Sequence, residues 1–217
     1  MDELEHVEST APRDDPVLRQ ARDVVEDHFN ANPEKVFFSR QLELLFEDRF
    51  FHWVTNRAIH EVIASGLILM EERALATGTT IKLLWHRTYR YYRREAAAVV
   101  RLVEEYSHPN IGGELGDHAE MMVLEGFARC QFVMRGRSIN EFGGKKWEKT
   151  NHNLDFVFER DGRAYGVEVK NMLGYMDQDE FRLKIDICRE LGVAPVFAVR
   201  MLPKTWIAEL TELEDLR

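Results

Sequence analysis

Two carboxylates and one lysine on neighbouring segments of the chain have residue types and spacing suited to hydrolytic chemistry. Asp155 lies early in a segment rich in β-forming residues, and Glu168 and Lys170 end the next such segment. Between them, Asp161 and Gly162 predict a tight turn, so the two segments are expected to form a hairpin. Because side chains alternate along a strand, Glu168 and Lys170 share one face, and a hairpin register can bring Asp155 beside Glu168.

These three residues suit the chemistry of a metal-dependent phosphodiesterase. Paired carboxylates repel each other unless a cation lies between them. Hard oxygen ligands with open water positions suit Mg²⁺ or Mn²⁺. Lys170 can hold or deprotonate a water, or neutralise charge that develops on a phosphate. The alternative is a structural carboxylate pair with a solvated lysine on an edge strand.

The composition is that of a globular protein with one large core or two small ones. The chain has 217 residues, of which 45% are hydrophobic and 31% are charged. No apolar run approaches the roughly 20 residues that cross a bilayer, and the acidic N-terminus lacks the features of a signal peptide. Cys130 and Cys188 form neither a disulfide framework nor a metal-ligand spacing. These features predict a cytoplasmic protein with buried free thiols and no membrane partner.

The formal net charge of −9 argues against a nucleic-acid partner, but the distribution of charge weakens that argument. Residues 1–15 carry six acids and one base, whereas residues 82–101 carry six bases and one acid. Residues 129–149 carry six bases and two acids. Affinity for nucleic acid depends on the local surface that faces the phosphates, so both basic segments are candidate contacts. A solvated face is the alternative for each of them.

A helical region is expected to follow a disordered acidic tail at residues 1–15. Pro16 suits the first position of a first helix. Ser39 suits the N-cap of a second helix and Thr55 the N-cap of a third, which Gly66 ends.

After the third helix, strand-like segments at 67–72 and 80–85 predict a β-hairpin. Three helices followed by a hairpin are the element order of a winged helix-turn-helix, and residues 16–86 resemble that family in this order. In such domains the third helix usually enters the major groove. A winged helix that only dimerises or binds another protein is the alternative. The candidate DNA contacts on this helix are Thr55, Asn56, Arg57 and His60.

Residues 87–112 are predicted to be a linker, with a long helix up to Tyr106 and then a boundary loop. The stretch 89–94 mixes aromatic residues with bases, a combination that contacts nucleic-acid backbones and stacks on bases. The alternative is that the tyrosines pack while the arginines face water. The candidate DNA contacts in this stretch are Arg90, Arg93 and Arg94.

From residue 113 on, the predicted elements follow the order α-β-β-β-α-β. Here the chain resembles the restriction-endonuclease-like, or PD-(D/E)XK, nuclease superfamily over residues 113–207. The resemblance rests on Leu154–Asp155 and on Gly166–Lys170 in the next strand. The preceding helix, with Gly116–Glu120 and Gly126–Phe127, is similar to that of archaeal junction-resolving and repair nucleases.

The resemblances imply an α/β (α+β) protein in two domains. A restriction-endonuclease-like core with a mixed central sheet is expected at 113–217, preceded by a smaller winged-helix domain at 16–86. Leu154 departs from the superfamily pattern, because many members have proline there.

The superfamily resemblance also implies roles for the site residues. Asp155 and Glu168 would ligate Mg²⁺ or Mn²⁺, with the backbone carbonyl of Val169 as a further ligand. Lys170 would act on the attacking water. Glu120 would be the helix-borne carboxylate that completes the site or binds through water, and a solvated Glu120 is the alternative. Its rivals on the same helix are Glu114 and Glu125.

A basic loop before Asp155 is expected to contact the DNA backbone. His152 can bond a phosphate or shape the loop, and Trp147 is available to stack or to pack. The bases of this loop are Lys145, Lys146 and Lys149.

Three further residues are candidates for accessory roles. By the resemblance, the helix after Glu168 often places a Gln or a Lys near the site, a role for which Lys184 and Gln178 compete. Arg200 ends the last strand, and ligands of α/β sheets bind at strand ends.

Together, these features predict a metal-dependent DNA endonuclease of the restriction, junction-resolving or repair type. A homodimer is expected, because cutting both strands of a duplex needs two sites. One alternative is a winged-helix DNA-binding regulator whose nuclease-like domain does not cleave. The others are an RNA substrate and a protein that works as an assembly surface in a larger complex.

Overall fold

The computed structural model describes residues 15–172 and 174–215. Within them the chain is a mixed α and β protein that divides into two compact units after Tyr106. The predicted tail at 1–15 lies outside the described residues except for Asp15, whose carboxylate caps the first helix. In the described part of the chain, no helix is both long and apolar enough to cross a membrane.

The first unit combines helices with a three-stranded antiparallel sheet. Its elements are α1 (Pro16–Ala31), β1 (Val36–Phe38), α2 (Ser39–Leu45), α3 (His52–Ala64), β2 (Ile68–Ala74), β3 (Thr80–His86) and α4 (Tyr92–Tyr106). The strand order is β1-β3-β2, so β1 adds a third strand to the predicted hairpin.

Alternation along β3 gives this unit two apolar cores. Leu84 faces a core built with α1, α2 and α3, in which Phe29 and Leu42 are fully buried. Leu83 and Trp85 face the other way and pack against α4. One strand therefore holds helices on both faces of a small sheet.

Two predicted helix starts in this unit are wrong, although α1 begins at Pro16 as predicted. Ser39 is the first residue of α2 and not its N-cap, because β1 runs directly into the helix at Phe38. Gln41 accepts a hydrogen bond from the Phe38 backbone N–H instead. Helix α3 begins at His52, three residues before Thr55, and Thr55 is fully buried.

The predicted linker at 87–112 is also placed differently. Helix α4 packs its Ala96 face on the sheet of the first unit, and Tyr92 stacks on Trp85 with ring centroids 3.9 Å apart. A new helix begins at Pro109, so the predicted boundary loop is confined to the residues just before it. The helix expected to join the halves thus belongs to the first unit.

The second unit is built around a four-stranded mixed sheet. Its elements are α5 (Pro109–Arg129), β4 (Val133–Ile139), β5 (Glu141–Phe142), β6 (Lys145–Lys146), β7 (Leu154–Arg160), β8 (Arg163–Lys170), α6 (Gln178–Leu191), β9 (Ala194–Val199) and α7 (Lys204–Asp215). The sheet order is β4-β7-β8-β9, with β8 and β9 parallel and the other pairs antiparallel. The predicted order α-β-β-β-α-β is present, with the short β5–β6 hairpin inserted and α7 added.

Helices α5 and α6 cover opposite faces of this sheet. Phe127 of α5 packs with Phe156 and Val167, whereas Ile187 of α6 packs with Val157. Cys188 is buried beside Ile187 as predicted, but Cys130 is exposed just after the end of α5, so the prediction of a buried thiol is wrong there. Val169 belongs to the α5 side, so Glu168 and Lys170 face α6.

Strand β4 lies at one edge of the sheet. Its ladder with β7 is interrupted by a bulge between Met134 and Gly136. Two arginines of this strand form ion pairs, Arg135 with Glu159 of β7 and Arg137 with Glu120 of α5.

Gly166 marks the closest approach of β8 to its neighbours on the α6 side. An added Cβ would lie 2.6 Å from Leu154 Cδ1 and 2.8 Å from both Cys188 Sγ and Val193 Cγ2. Gly166→Ala is expected to lower the free energy of unfolding by about 1–3 kcal/mol, because overpacking displaces the helix. Urea unfolding followed by circular dichroism measures this change.

Gly126→Ala is the matched control for that variant. Gly126 lies inside α5 with no atom within 4 Å of an added Cβ, so alanine is expected to raise stability by about 1 kcal/mol through its helix propensity. If both variants changed stability in the same direction, the close packing at Gly166 would not control stability.

His28 of α1 lies among aromatic rings. Its ring centroid is 4.7 Å from that of Phe37 and 5.6 Å from that of Phe46, and its Nε2 is buried without a hydrogen-bond partner. Burial and the charge of Lys35 lower the pKa of His28 below its ordinary value of 6.5. The neutral imidazole is therefore the form that fits this fold.

The first unit is expected to lose stability as the pH falls. Because the pKa of His28 is lower in the folded than in the unfolded chain, the unfolded chain binds the proton more tightly. The contribution of His28 is complete above about pH 6.5 and is lost as the pH falls below that value. Hydrogen exchange of α1 peptides, corrected for intrinsic rates, measures the loss. His28→Leu should abolish this pH dependence, whereas His60→Gln, at an exposed position, should preserve it.

Candidate active site

The strands β7 and β8 separate at the position of the acidic pair. Their antiparallel register ends at Phe156 opposite Val167. One residue earlier on β7, the Asp155 carboxylate accepts a hydrogen bond from the backbone N–H of Val169 at 2.7 Å. An extended residue directs its N–H and C=O to the same edge, so the Val169 carbonyl also faces the side of Asp155.

Glu168 is a buried carboxylate held by a buried lysine. Its side chain is 3% exposed, and its Oε2 forms an ion pair of 2.5 Å with Nζ of Lys184 on α6. The same ammonium donates a hydrogen bond to the backbone carbonyl of Asn153 at 2.6 Å. Lys184 therefore links α6 to β8 and to the residue that precedes β7.

Lys170 lies between two carboxylates. Its Nζ is 3.5 Å from Glu168 Oε1 and 2.7 Å from Glu180 Oε1, near the start of α6. The side chains of Lys184, Glu168, Lys170 and Glu180 thus form a chain of alternating charge on one face of the sheet.

The surroundings shift the pKa values of both central groups upward. Burial raises the pKa of Glu168, and the charge of Asp155 adds to this, against the opposing effect of Lys184. Burial alone would lower the pKa of Lys170, but the hydrogen bond to Glu180 and the two adjacent carboxylates outweigh it, so this pKa is raised. Lys170 is therefore an ammonium at neutral pH, which can donate hydrogen bonds and offset negative charge but cannot take a proton from water.

Glu120 does not join Asp155 and Glu168 in this arrangement. It forms an ion pair of 2.6 Å with Arg137 of β4, whose guanidinium lies 5.8 Å from the ring centroid of Phe156. That is the face of the sheet covered by α5, opposite to the face of Glu168. Its rivals lie elsewhere: Glu114 is exposed, and Glu125 pairs with Arg129.

The basic loop before β7 lies against the C-terminal half of α6. Lys149 forms an ion pair of 3.0 Å with Glu190, Lys146 pairs with Glu148 at the same distance, and Lys145 lies beside the helix C-cap Gly192. These ammonium groups offset carboxylates and the carbonyl end of the helix dipole. Contact with DNA would compete with these pairs.

Two other residues of this loop share one hydroxyl. Trp147 is 3% exposed and packs in the core, so it is not a stacking platform. Its Nε1 donates to Thr150 Oγ1 at 2.9 Å, and the Nδ1 of exposed His152 lies 3.0 Å from the same oxygen.

Of the three accessory candidates, Lys184 lies in the site itself, as described above. Gln178 is exposed at the first position of α6. Arg200 follows β9 and donates to Asn171 Oδ1 at 3.4 Å, which sets it beside the residue after Lys170.

Sequence reasoning missed Glu180. This residue lies four positions before Lys184, and i, i+4 spacing puts both side chains on one face of a helix. The i, i+4 spacing from Lys184, one of the accessory candidates, is the sequence signal that points to Glu180.

Some of the candidate DNA contacts of α3 are exposed in the structure, and others are buried or engaged in contacts. Thr55 is fully buried, so the prediction that it reaches phosphate is wrong. Asn56 donates to Glu43 Oε1 at 2.9 Å, and Glu43 is itself 1% exposed and paired with Arg40. The remaining candidates of the first unit are exposed: Arg57, His60, Arg90, Arg93 and Arg94.

Oxygen donors where β7 and β8 separate suit a divalent cation. They are the carboxylates of Asp155 and Glu168 and the carbonyl of Val169, with Glu168 Oε2 also held by the Lys184 ammonium. Among the described residues, no three His, Cys, Asp or Glu side chains form a group that could hold a metal ion. A third protein ligand would therefore be the backbone carbonyl.

No protein-family model matches this chain, and no curated protein or solved structure matches it either.

Removal of the Lys184 charge is expected to destabilise the second unit strongly. Lys184→Met leaves Glu168 buried without its ion-pair partner, a loss of about 3–5 kcal/mol at buried pairs. Adding Glu168→Gln removes the unpaired charge and is expected to recover most of that loss. Urea unfolding measures both proteins.

Lys149→Met is the control for that pair of variants. It breaks an exposed ion pair with Glu190, so its effect should stay within about 1 kcal/mol. A single variant at Lys184 as stable as wild type would contradict the structural role of the buried pair.

Proposed function

We propose that this chain is a metal-dependent DNA endonuclease of the restriction-endonuclease-like superfamily, preceded by a winged-helix domain. The proposal is carried by one observation. The side chains of Asp155, Glu168 and Lys170 lie together where β7 and β8 separate. The Lys170 side chain stays a charged ammonium beside the Glu168 carboxylate. This is a combination of groups that hydrolysis of a phosphodiester requires.

The order of elements supports the proposal in both units. The second unit has the order α-β-β-β-α-β and the mixed sheet expected of the superfamily. The first unit has three helices before a β-hairpin, as expected of a winged helix, and β1 pairs with the hairpin strand β3.

Each residue of the site would have a separate role in hydrolysis. Asp155 and Glu168, with the Val169 carbonyl, would hold Mg²⁺ or Mn²⁺. When bound, such a cation polarises the phosphoryl group and lowers the pKa of its water. Lys170, held by Glu180, would donate hydrogen bonds to the attacking water or to a phosphate oxygen and would offset the charge that grows in the transition state.

The surroundings of Lys170 support an anionic polymer as substrate. Asn171 follows it directly and bonds both the Leu115 carbonyl and Arg200. An arginine bonded to the residue that follows Lys170 suits the phosphates that flank a scissile bond. The proposed substrate is DNA, and a homodimer would supply the two sites that cutting a duplex requires.

A second candidate function is favoured by the ion pair of Glu168 with Lys184. The lysine neutralises the carboxylate without a metal, as expected of a nuclease-like domain that binds DNA and does not cleave it. In that case the protein would be a winged-helix regulator or assembly protein.

Cleavage of supercoiled, linear duplex, single-stranded and branched DNA with Mg²⁺, Mn²⁺ or EDTA tests the proposal. Metal-dependent cleavage is expected. Asp155→Asn, which weakens a metal ligand, and Lys170→Met, which removes the charge beside the phosphate, should each reduce the rate by ~100-fold or more. Lys170→Met should reduce kcat more than binding.

Lys204→Met is the matched control, because Lys204 is exposed at the start of α7 and touches no site residue named above. Its cleavage rate should equal that of wild type. Tight DNA binding without cleavage of any substrate would favour the non-cleaving protein, and wild-type cleavage by Lys170→Met would overturn the role given to that residue.

A further inference from the structure

Helix α3 exposes a different set of groups from those that read a duplex. Of its candidate contacts, Thr55 is buried and Asn56 is engaged by buried Glu43. Loss of these two removes an amide and a hydroxyl, which are common readers of base edges and phosphates. The exposed surface of this helix still carries Arg57 and His60, together with Glu61.

An exposed aromatic pair marks the start of α3. Phe51 is 64% exposed and stacks on Trp53, with ring centroids 4.5 Å apart and planes inclined by 9°. Two rings stacked on a surface form a flat platform that a further ring can extend. Nucleic-acid bases stack on such side chains with little dependence on sequence, because every base has a π-face.

Basic groups lie on the same side of the helix as this platform. Trp53, Arg57 and His60 are spaced i, i+4 and i+7, which places them on one face, and both Arg57 and His60 are exposed. The buried positions of the helix, such as Ala58 and Val62, lie on the opposite face.

The basic side chains of this surface lie between acidic residues of the chain. Residues 49–60 contain two arginines and two histidines, but exposed Glu47 and Asp48 precede them and exposed Glu61 follows. Contact with a phosphate therefore rests on individual basic side chains, above all on exposed Arg57 beside Trp53 on the helix face.

We propose that this surface, which we call the α3 platform, binds single-stranded nucleic acid. It consists of Phe51, Trp53, Arg57 and His60. One base stacks on the aromatic pair, and a neighbouring phosphate contacts Arg57. Bases within a duplex are already stacked on each other, so the platform selects unpaired ones. This function is separate from the proposed hydrolysis and does not depend on it.

The tryptophans of the chain provide a specific signal for this binding. Trp85, Trp147 and Trp206 are at most 8% exposed, whereas Trp53 is only half-buried. The full chain is titrated in EDTA with a mixed-sequence DNA oligonucleotide, the same sequence as RNA, and the DNA duplex. Labelled oligonucleotide anisotropy gives affinity, and tryptophan emission gives stacking. Both single strands should quench the emission, and the duplex should not.

Variants of the platform should separate stacking from charge. Phe51→Ala should weaken single-strand binding by about tenfold, since one base stack is lost. Arg57→Gln should reduce the slope of log affinity against log salt by about 0.7. Trp53→Phe keeps a ring and should abolish quenching while holding affinity within about threefold. Tyr106→Ala, 58% exposed at the end of α4, is the matched aromatic control and should bind like wild type.

Three results would overturn the inference. They are wild-type affinity in Phe51→Ala, an equal loss of duplex and single-strand affinity in that variant, and a dimer in sedimentation that Phe51→Ala dissociates with no change in nucleic-acid binding. The last result would assign the platform to a protein interface. Because hydrolysis is blocked in EDTA, absence of cleavage elsewhere leaves this inference intact, and its failure leaves the nuclease proposal intact.

Discussion

The ion pair between Glu168 and Lys184 is the interaction on which the geometry of the second unit depends. Two charges at this depth are tolerated only because each compensates the desolvation of the other. Lys184 also holds the carbonyl of Asn153, and so fixes the chain two residues before Asp155. One turn earlier on α6, Glu180 fixes Lys170. A single helix therefore sets the positions of all three groups proposed to act on substrate.

In the first unit, helices and a buried charged network likewise hold a small sheet in place. A sheet of three short strands buries little area by itself, and its alternating residues serve two cores instead of one. The helices α1 to α3 cover one face and α4 the other. The network of Glu43, Arg40 and Asn56 then ties α2 to α3 through a buried carboxylate.

The sequence predicted the elements whose residue pattern fits one kind of secondary structure. Alternating apolar residues around Asp155 and Glu168 and the turn at Asp161 specified the hairpin, and the periodic segment at 178–191 specified α6. Caps were less predictable, because Ser39 and Thr55 satisfy local rules that tertiary packing overrides. The partner of Glu120 was not predictable, since the choice between Arg137 and the acidic pair depends on how α5 lies on the sheet. Charge pairing in the basic loop likewise requires the position of α6.

The edge strand β4 has a consequence for the behaviour of the protein at high concentration. Its first residues, Val133 and Met134, are more than half exposed, and an open strand of this kind is a template for adding a strand from another molecule. The bulge after Met134 twists the ladder, and the arginines at 135 and 137 keep charge along the edge. The bulge in β4 thus opposes aggregation, because it hinders another molecule from adding a strand at this edge of the sheet.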